Sequence, residues 1–320
     1  MLADSTGGAY PPHMGSNVTR GQHYVWRHYL EAWETDGLLS VSRHGAVPFS
    51  SSAAGIGKQR DFYRLPRLRP QDVAFADLII SNMQITDEAK RQAREWFDTA
   101  ALVKTVVSHF AGRAMPEEVR SALNAFEIQA EEKIHAGIED DATPLLCRLR
   151  RGDSSFWRED KEAAAFSFFI SLQHLRTKRG AVKLFESFSA YDTDGVAERT
   201  WPYLKFAMAS NMGFSFYQER ARWSLNVVSA GGQVQFVTAD QPTMNLIPPL
   251  DHNGIALFYP LSPTRALIME HQDNSPIAPA SGVMTDTQVD ALNTRLAGYA
   301  HEQVYGSDRD YLADLVKRIA

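Results

Sequence analysis

Cysteine is almost absent from this sequence of 320 residues, in which Cys147 is the single thiol. One cysteine rules out an intrachain disulfide and a zinc site built from cysteines. Long apolar runs are also missing: no stretch of about eighteen apolar residues occurs, and no charged-then-apolar leader opens the chain. We therefore expect a protein that does not enter a membrane and that resides in the reducing cytoplasm.

An excess of positive charge is lacking as well, because 33 Lys and Arg face 38 Asp and Glu, which gives a net charge of −5. A global basic field for nucleic acid is therefore excluded, and contact with a polyanion would need local clusters such as Arg148–Arg151 and Arg176–Arg179. Signatures of several enzyme classes are missing too: the sequence contains no P-loop, no G-x-S-x-G and no H-x-x-x-H pattern.

What the chain does contain is an unusually apolar segment, Ala164–Arg179, that predicts a helix buried on all sides. Into this helix the sequence places Gln173, Arg176 and Arg179, whose spacing of three residues puts them on one face. Buried guanidinium groups need a negative partner to offset their desolvation. That partner is either a bound anion or a carboxylate of the fold in a structural ion pair.

Hydrophobic periodicity divides the chain into a β-rich start, a helical middle and a β-rich end. Residues 1–21 are small, polar and rich in Gly and Pro, and we expect a tail that is disordered or left by cloning. Residues 22–320 are expected to form one domain. At its start, residues 22–33 predict a short helix, and the two short runs on either side of His44-Gly45 predict a hairpin.

From residue 71 to residue 217 the apolar residues recur every three to four positions, as in helices. Roughly six helices are expected there, with breaks near Met115 and between Ile138 and Thr143. After Glu219 the period changes to two, and this predicts two further hairpins. Their strands are Trp223–Ser229 with Gln233–Thr238, and Gly254–Leu261 with Arg265–Glu270. Further helices are expected from Thr285 toward Val304 and from Asp308 onward.

The predicted architecture is therefore α+β. The C-terminal meander and the N-terminal hairpin are expected to form one antiparallel sheet, and the helical insertion of residues 71–217 is expected to pack against it. Because the sheet needs both ends of the chain, we expect a single intertwined domain and not two separate ones.

Five short motifs follow one another in an order that resembles a known family. They are Gln22-His-Tyr-Val25, Lys58-Gln-Arg-Asp-Phe-Tyr63, Ile138-Glu139 with Pro144, Gln173-His-Leu-Arg-Thr177, and Phe236-Val-Thr-Ala-Asp-Gln-Pro242 followed by Tyr259-Pro-Leu-Ser-Pro263. Together they are similar to DUF4238, a family known only as a domain of unknown function. The chain departs from the usual pattern at Trp26, where proline is common, and at Ala239-Asp-Gln-Pro242, where Ser-Asp-Asn-Pro is common. The resemblance implies no activity, so function has to be argued from the side chains.

The candidate catalytic residues are the polar side chains of these motifs: His23, Glu139, Gln173, Arg176 and Asp240. Among them, Glu139 and Asp240 are candidate ligands for a divalent metal, Mg²⁺ or Mn²⁺. Candidate substrate contacts are Arg179, Tyr24 and Lys58.

Each main candidate also has a simpler structural role. Glu139 would form a salt bridge with Arg176 or Arg179. Asp240 would hold the turn before Pro242. His23 would be a core histidine that is hydrogen-bonded to the backbone.

If these groups meet, two carboxylates and a histidine could hold a metal ion that activates water, while the arginines neutralise a phosphodiester in the transition state. We thus predict a metal-dependent phosphodiester hydrolase, nuclease-like and of a bacterial defence or toxin type. One alternative is a non-enzymatic protein whose Gln/Arg stripe binds a phosphate-containing or other anionic ligand, such as a nucleotide. Another is a polar network that only fixes the helical insertion on the sheet. Nucleic acid as a partner and the oligomeric state stay open.

Overall fold

The computed structural model describes residues 20–110, 113–176, 194–247 and 254–319. Arg179 and residues 1–19 of the predicted tail lie outside the described residues. Gly21, also assigned to that tail, is already part of a strand. The predicted α+β class is confirmed, because a large helical middle section packs against antiparallel sheets.

Eleven strands occur in the described part of the chain, and they form three sheets. Their bounds are β1 Gly21–His23, β2 Leu39–Arg43, β3 Phe49–Ser51, β4 Lys58–Arg60, β5 Trp223–Ala230, β6 Thr238–Ala239, β7 Met244–Asn245, β8 Ala256–Ser262, β9 Arg265–His271, β10 Val283–Met284 and β11 Gln303–Gly306. The largest sheet has the order β10-β5-β9-β8-β7 and is antiparallel except for the parallel pair of β10 and β5. A four-stranded sheet has the order β3-β2-β11-β6, and β1 pairs with β4 alone. Because β11 pairs with β2, the two ends of the chain meet in the four-stranded sheet, while the meander strands β8 and β9 lie in the five-stranded one.

The described residues also form eight α-helices. Their bounds are α1 Arg27–Leu30, α2 Pro70–Ser81, α3 Asp87–His109, α4 Glu117–Arg150, α5 Asp160–Leu175, α6 Val196–Gln218, α7 Asp286–Tyr299 and α8 Arg309–Ile319. None of these helices combines the length and the apolar character that crossing a membrane requires. Helix α7 is capped by Thr285, which forms a reciprocal capping box with Gln288.

The five-stranded sheet is covered on both faces, and alternating side chains of β8 and β9 determine what covers each face. Leu257, Tyr259 and Leu267 belong to the apolar core shared with α4 and α5. Phe258 and Ile268 point the other way, into the core shared with α7. The sheet thus lies between the helical insertion and α7, and Tyr259 faces the insertion.

One predicted break is wrong, because α4 runs without interruption from Glu117 to Arg150 and contains Pro144 in its interior. Proline removes a backbone donor and disturbs the carbonyl groups of the preceding turn. The carbonyl that loses its N–H donor to Pro144 is that of Asp140, while the hydroxyl of Thr143 donates to the neighbouring oxygen of Glu139 at 3.0 Å. Glu139 therefore lies within a helix and not at its C-terminal end.

The first hairpin predicted after Glu219 is also wrong. Strand β5 pairs with β9 and β10, while the segment after the two glycines runs to β6 in the other sheet. Gly232 permits the backbone to pass close to Asp286 at the start of α7, because a Cβ at this position would lie 2.2 Å from an oxygen of that side chain. The same oxygen accepts the N–H of Val234. The second predicted hairpin, β8 with β9, is confirmed.

Three smaller expectations need correction. The N-terminal hairpin is present as β2 and β3, but it joins the four-stranded sheet and does not extend the five-stranded one. The helix predicted over residues 22–33 begins only at Arg27, because residues 21–23 form β1 and pair with β4. The helix predicted to reach Val304 ends at Tyr299, and Val304 belongs to β11.

Candidate functional site

A row of ionisable side chains lies on one buried face of α4. Glu127, Glu131, His135 and Glu139 follow one another at intervals of four residues, and all four are buried. Residues at this spacing share one face of a helix. We call Glu127, Glu131 and Glu139 the acidic stripe. Carboxylates that are removed from water need cations or hydrogen-bond donors opposite them, and other elements of the fold supply these.

Arg176 is the partner of Glu139. Its Nη1 lies 2.5 Å from Oε1 of Glu139, and the two side chains are only 3% and 11% exposed. Burial raises the pKa of Glu139, and the guanidinium opposes this shift. Burial also acts against the charge of Arg176, but the carboxylate outweighs it and the pKa of Arg176 is raised. The ion pair proposed from sequence as the simpler role of Glu139 is therefore present.

Lys205 of α6 is the partner of Glu131, and its Nζ donates to Oε1 of that carboxylate. Burial raises the pKa of Glu131 and lowers that of Lys205, so the surroundings disfavour both charges. Nε2 of His135 lies 3.5 Å from the same carboxylate oxygen, without the alignment of a hydrogen bond. Burial, followed by the charges of Lys205 and Arg176, lowers the pKa of His135 well below 6.5, so its imidazole is neutral.

Strand β1 and the turn after β4 close one side of this region. The buried side chain of Gln22 accepts the N–H of Tyr63 at 2.7 Å and donates to Oε2 of Glu132 at 3.2 Å. The hydroxyl of Tyr63 donates to the backbone oxygen of His23 at 3.0 Å, and its ring lies 4.8 Å from that of His135. Two of the sequence motifs thus contact α4 beside the acidic stripe, Gln22 at Glu132 and Tyr63 at His135.

Around Arg176 these groups form one enclosed set, which we call the Arg176 cluster. Its members are Tyr63, Glu131, His135, Glu139, Gln173, Arg176, Lys205 and Tyr259. The charge of Arg176 acts on the pKa of the tyrosines, of both carboxylates, of the lysine and of the histidine. Gln173 lies one turn before Arg176 at the end of α5.

Several polar atoms of the Arg176 cluster have no hydrogen-bond partner in the described part of the chain. They are Nε2 of Gln173, both ring nitrogens of His135 and the hydroxyl of Tyr259. The three side chains are 1%, 3% and 0% exposed, so water at the surface does not reach them. Buried polar groups are normally paired, so this concentration of unpaired atoms sets the cluster apart from an ordinary core.

Asp240 occupies a different place and already has its partners. Its carboxylate accepts backbone N–H groups from three consecutive residues, His301, Glu302 and Gln303, at 2.8, 2.7 and 3.0 Å. Burial raises the pKa of Asp240, and these three donors oppose the shift. Within residues 20–110, 113–176, 194–247 and 254–319, no three His, Cys, Asp or Glu side chains come together to hold a metal ion. The metal site of Glu139 and Asp240 has no support from this geometry and stays a prediction.

The remaining candidates from the sequence lie at the edge of the cluster or on the surface. The half-buried imidazole of His23 faces the backbone of Ala54, and burial, followed by the charge of Lys58, lowers its pKa. Lys58 is exposed, and its Nζ donates to the oxygen of Ala54 at 2.9 Å. Tyr24 packs on Phe62 at 5.2 Å, and burial raises its pKa to about 12.

Of the predicted catalytic residues, the structure thus brings together Glu139, Gln173 and Arg176. Sequence reasoning missed Glu131, His135 and Lys205. The signal for the first two was the four-residue spacing of Glu127, Glu131 and His135, which lies within the helix predicted to run through Ile138 and which Glu139 continues. Lys205 offered no signal, because nothing in its own segment indicates that α6 faces α4.

Comparison with known proteins agrees with the resemblance of the motifs. A family model described as "Protein of unknown function (DUF4238)" matches residues 21–215 and 203–310. No curated protein and no solved structure matches the chain. The matched residues include every described member of the Arg176 cluster. The chain belongs to the DUF4238 family.

Proposed function

We propose that the protein binds a small anionic ligand, bearing a carboxylate or a phosphate, in the Arg176 cluster. The observation that carries this proposal is the set of enclosed polar atoms of Gln173, His135 and Tyr259 that have no hydrogen-bond partner among the residues that the structure describes. A buried polar atom without a partner costs about 1–3 kcal/mol. Three such side chains around one guanidinium would be costly in an empty core, and a ligand with several acceptor oxygens would remove that cost.

The chemistry of these groups favours an acceptor-rich ligand. The amide of Gln173 and the hydroxyl of Tyr259 can donate, and neutral His135 donates from one nitrogen and accepts at the other. Arg176 adds a charge-assisted donor, the kind that binds carboxylate and phosphate best. In the absence of ligand, Arg176 and Lys205 are balanced by Glu139 and Glu131.

Binding is expected to depend on pH. Burial raises the pKa of both Glu131 and Glu139. An added anion favours protonation of one of these carboxylates, because a proton restores the charge balance of the cluster. Affinity should therefore increase as the pH falls from 7 toward 5.

A thermal melt of the dialysed protein tests the proposal. The probes are inorganic phosphate, a small carboxylate series and nucleotides, and Mg²⁺, Mn²⁺ and EDTA are added in separate arms. At ten times its Kd, a ligand stabilises the folded state by about 1.4 kcal/mol, which raises the Tm by roughly 2 °C. We expect such a shift with an anion alone, without metal.

Two variants distinguish a binding site from a structural network. Gln173→Leu removes the unpaired Nε2 from the cluster. Gln241→Leu is the control: Gln241 lies between β6 and β7, is 1% exposed, and has an unpaired Oε1. Each should leave the ligand-free protein about as stable as before. The anion shift should vanish in Gln173→Leu and persist in Gln241→Leu. If no anion shifts the parent protein, a purely structural network explains the cluster.

Metal-dependent phosphodiester hydrolysis stays a prediction from sequence, and the metal arms of the melt test it. An increase in Tm with Mg²⁺ or Mn²⁺ that is absent from both Glu139→Gln and Asp240→Asn would favour the metal-dependent hydrolase over the anion-binding protein. We also propose that the protein acts in the cytoplasm, because its single cysteine fits a reducing compartment.

A further inference from the structure

A groove separate from the Arg176 cluster lies between residues 64–67 and the start of α4. It encloses about 690 Å³, and its lining includes Arg64, Arg67, Arg113 and Arg120. Cavities that hold small ligands measure roughly 300–1,000 Å³. Four guanidinium groups around one such space are unusual in a chain whose net charge is −5.

Carboxylates of the groove balance only part of this charge. Glu127 lies 2.9 Å from Nε of Arg67 and 3.6 Å from Nη2 of Arg64, and Glu117 lies 3.4 Å from Nη1 of Arg120. Arg113 forms no ion pair with a described residue. Four cations and two anions leave a net charge of +2, and the N-terminus of the 34-residue helix α4 adds its positive dipole.

Two of the guanidinium groups share a carboxylate partner. The side chain of Glu127 is only 9% exposed, and it anchors both Arg64 and Arg67. Asn124 accepts a further hydrogen bond from Nη2 of Arg64 at 3.1 Å. The two arginine side chains are 46% and 57% exposed, so these contacts are what positions them, and a site that binds an anion gains affinity when its donors are positioned before the ligand arrives.

The groove also has an apolar wall formed by Phe110, Met115 and Leu123. Guanidinium groups bind phosphate oxygens in bidentate fashion, and an apolar wall of this kind suits a flat ring. We propose that this groove binds a nucleotide-like ligand, in which a sugar carries both a phosphate ester and a planar ring. A free nucleotide and the 5′-phosphorylated end of a nucleic acid strand share this chemistry.

Titration calorimetry with AMP, ATP, adenosine, inorganic phosphate and a short 5′-phosphorylated oligonucleotide tests the inference. The test variant is Arg113→Gln with Arg120→Gln, which leaves Glu127 of the acidic stripe and its two arginines untouched. The control variant is Arg91→Gln with Arg222→Gln, two exposed arginines elsewhere that carry the same total charge.

We expect AMP or ATP to bind more tightly than adenosine, which lacks the phosphate, and more tightly than inorganic phosphate, which lacks the planar ring. Affinity should fall by about tenfold or more in the test variant and change by less than about twofold in the control. Tighter binding of the oligonucleotide than of AMP would identify a strand end as the source of the phosphate.

Three results would overturn the inference. The first is equal affinity for nucleotides in the parent and the test variant. The second is absence of nucleotide binding to the parent. The third is loss of nucleotide binding in Gln173→Leu and not in the test variant. The last result would assign the nucleotide to the Arg176 cluster, so failure of this inference is distinguishable from failure of the proposed function. Circular dichroism of the test variant should show an unchanged melt, because both replaced arginines are exposed.

Discussion

Removal of the guanidinium of Arg176 gives the sharpest test of the ion pair with Glu139. In Arg176→Leu the carboxylate stays in a site that leaves it only 11% exposed, 2.5 Å from where its cation was. Loss of one partner of a buried pair costs about 3–5 kcal/mol at neutral pH, because the other charge is left without compensation. Glu139→Leu should cost a similar amount through the unpaired guanidinium. The double variant should be close to the parent in stability, since neither charge then remains.

Urea denaturation of the four proteins at pH 7 gives the coupling energy, for which we expect about 3 kcal/mol or more. The exposed pair Arg222–Asp273, with side chains 45% and 64% exposed, serves as the control cycle. There the coupling should be about 1 kcal/mol or less. Additive effects at Arg176 and Glu139, or equal coupling in both cycles, would refute the reasoning.

The cost of Arg176→Leu should also depend on pH. Burial already raises the pKa of Glu139 above its ordinary 4.5, and loss of the guanidinium removes the main opposing influence. A carboxyl whose pKa is raised in the folded state stabilises the fold below its unfolded pKa, and this contribution is lost as the pH rises. The variant should therefore be closest to the parent near pH 4.5 and fall behind as the pH approaches 7.

Two further predictions concern His135 and Asp240. The pKa of His135 is held below 6.5 in the fold, so its contribution to stability is present above pH 6.5 and is lost as the pH falls. Between pH 7 and pH 5 the parent should lose up to about 2 kcal/mol more than His135→Phe, as measured by urea denaturation, and equal losses would contradict the assignment of a neutral imidazole. Asp240→Asn should lower stability by about 2–3 kcal/mol, because one amide oxygen cannot accept the three N–H groups of residues 301–303. An unchanged Tm would exclude this anchoring role.

The central ion pair could be predicted from the sequence because its signal is local. A helix that is apolar on every face has to be buried, so an arginine at its end needs a negative partner. That inference identified Arg176 and named Glu139 as a candidate partner. The position of Glu139 was nevertheless misjudged, because a break was expected between Ile138 and Thr143, whereas α4 continues through Pro144 to Arg150.

Partners that come from distant segments could not be predicted. Lys205 and Tyr259 reach the cluster only because α6 and β8 pack against the helices around Arg176, and no local pattern fixes that packing. The same limit explains the wrong hairpin. Two glycines between alternating runs usually indicate a tight turn, but Gly232 is where the backbone passes close to Asp286, which lies more than fifty residues later in the chain.

A purely structural network accounts for one part of the Arg176 cluster and not for another. Glu131 with Lys205 and Glu139 with Arg176 form complete pairs that fix α4 against α5 and α6. Apolar side chains of similar volume usually provide equal or greater stability than such pairs, so ion pairs alone are a weak reason for a polar interior. The donors beside them that have no partner within the described ranges add cost without any structural return, and partly satisfied polar networks of this kind are expected at functional sites. A ligand that completes these hydrogen bonds would contact α5, α4 and the sheet at once. Its binding should therefore stabilise the contact between the helical insertion and the sheet, which is where the Arg176 cluster lies.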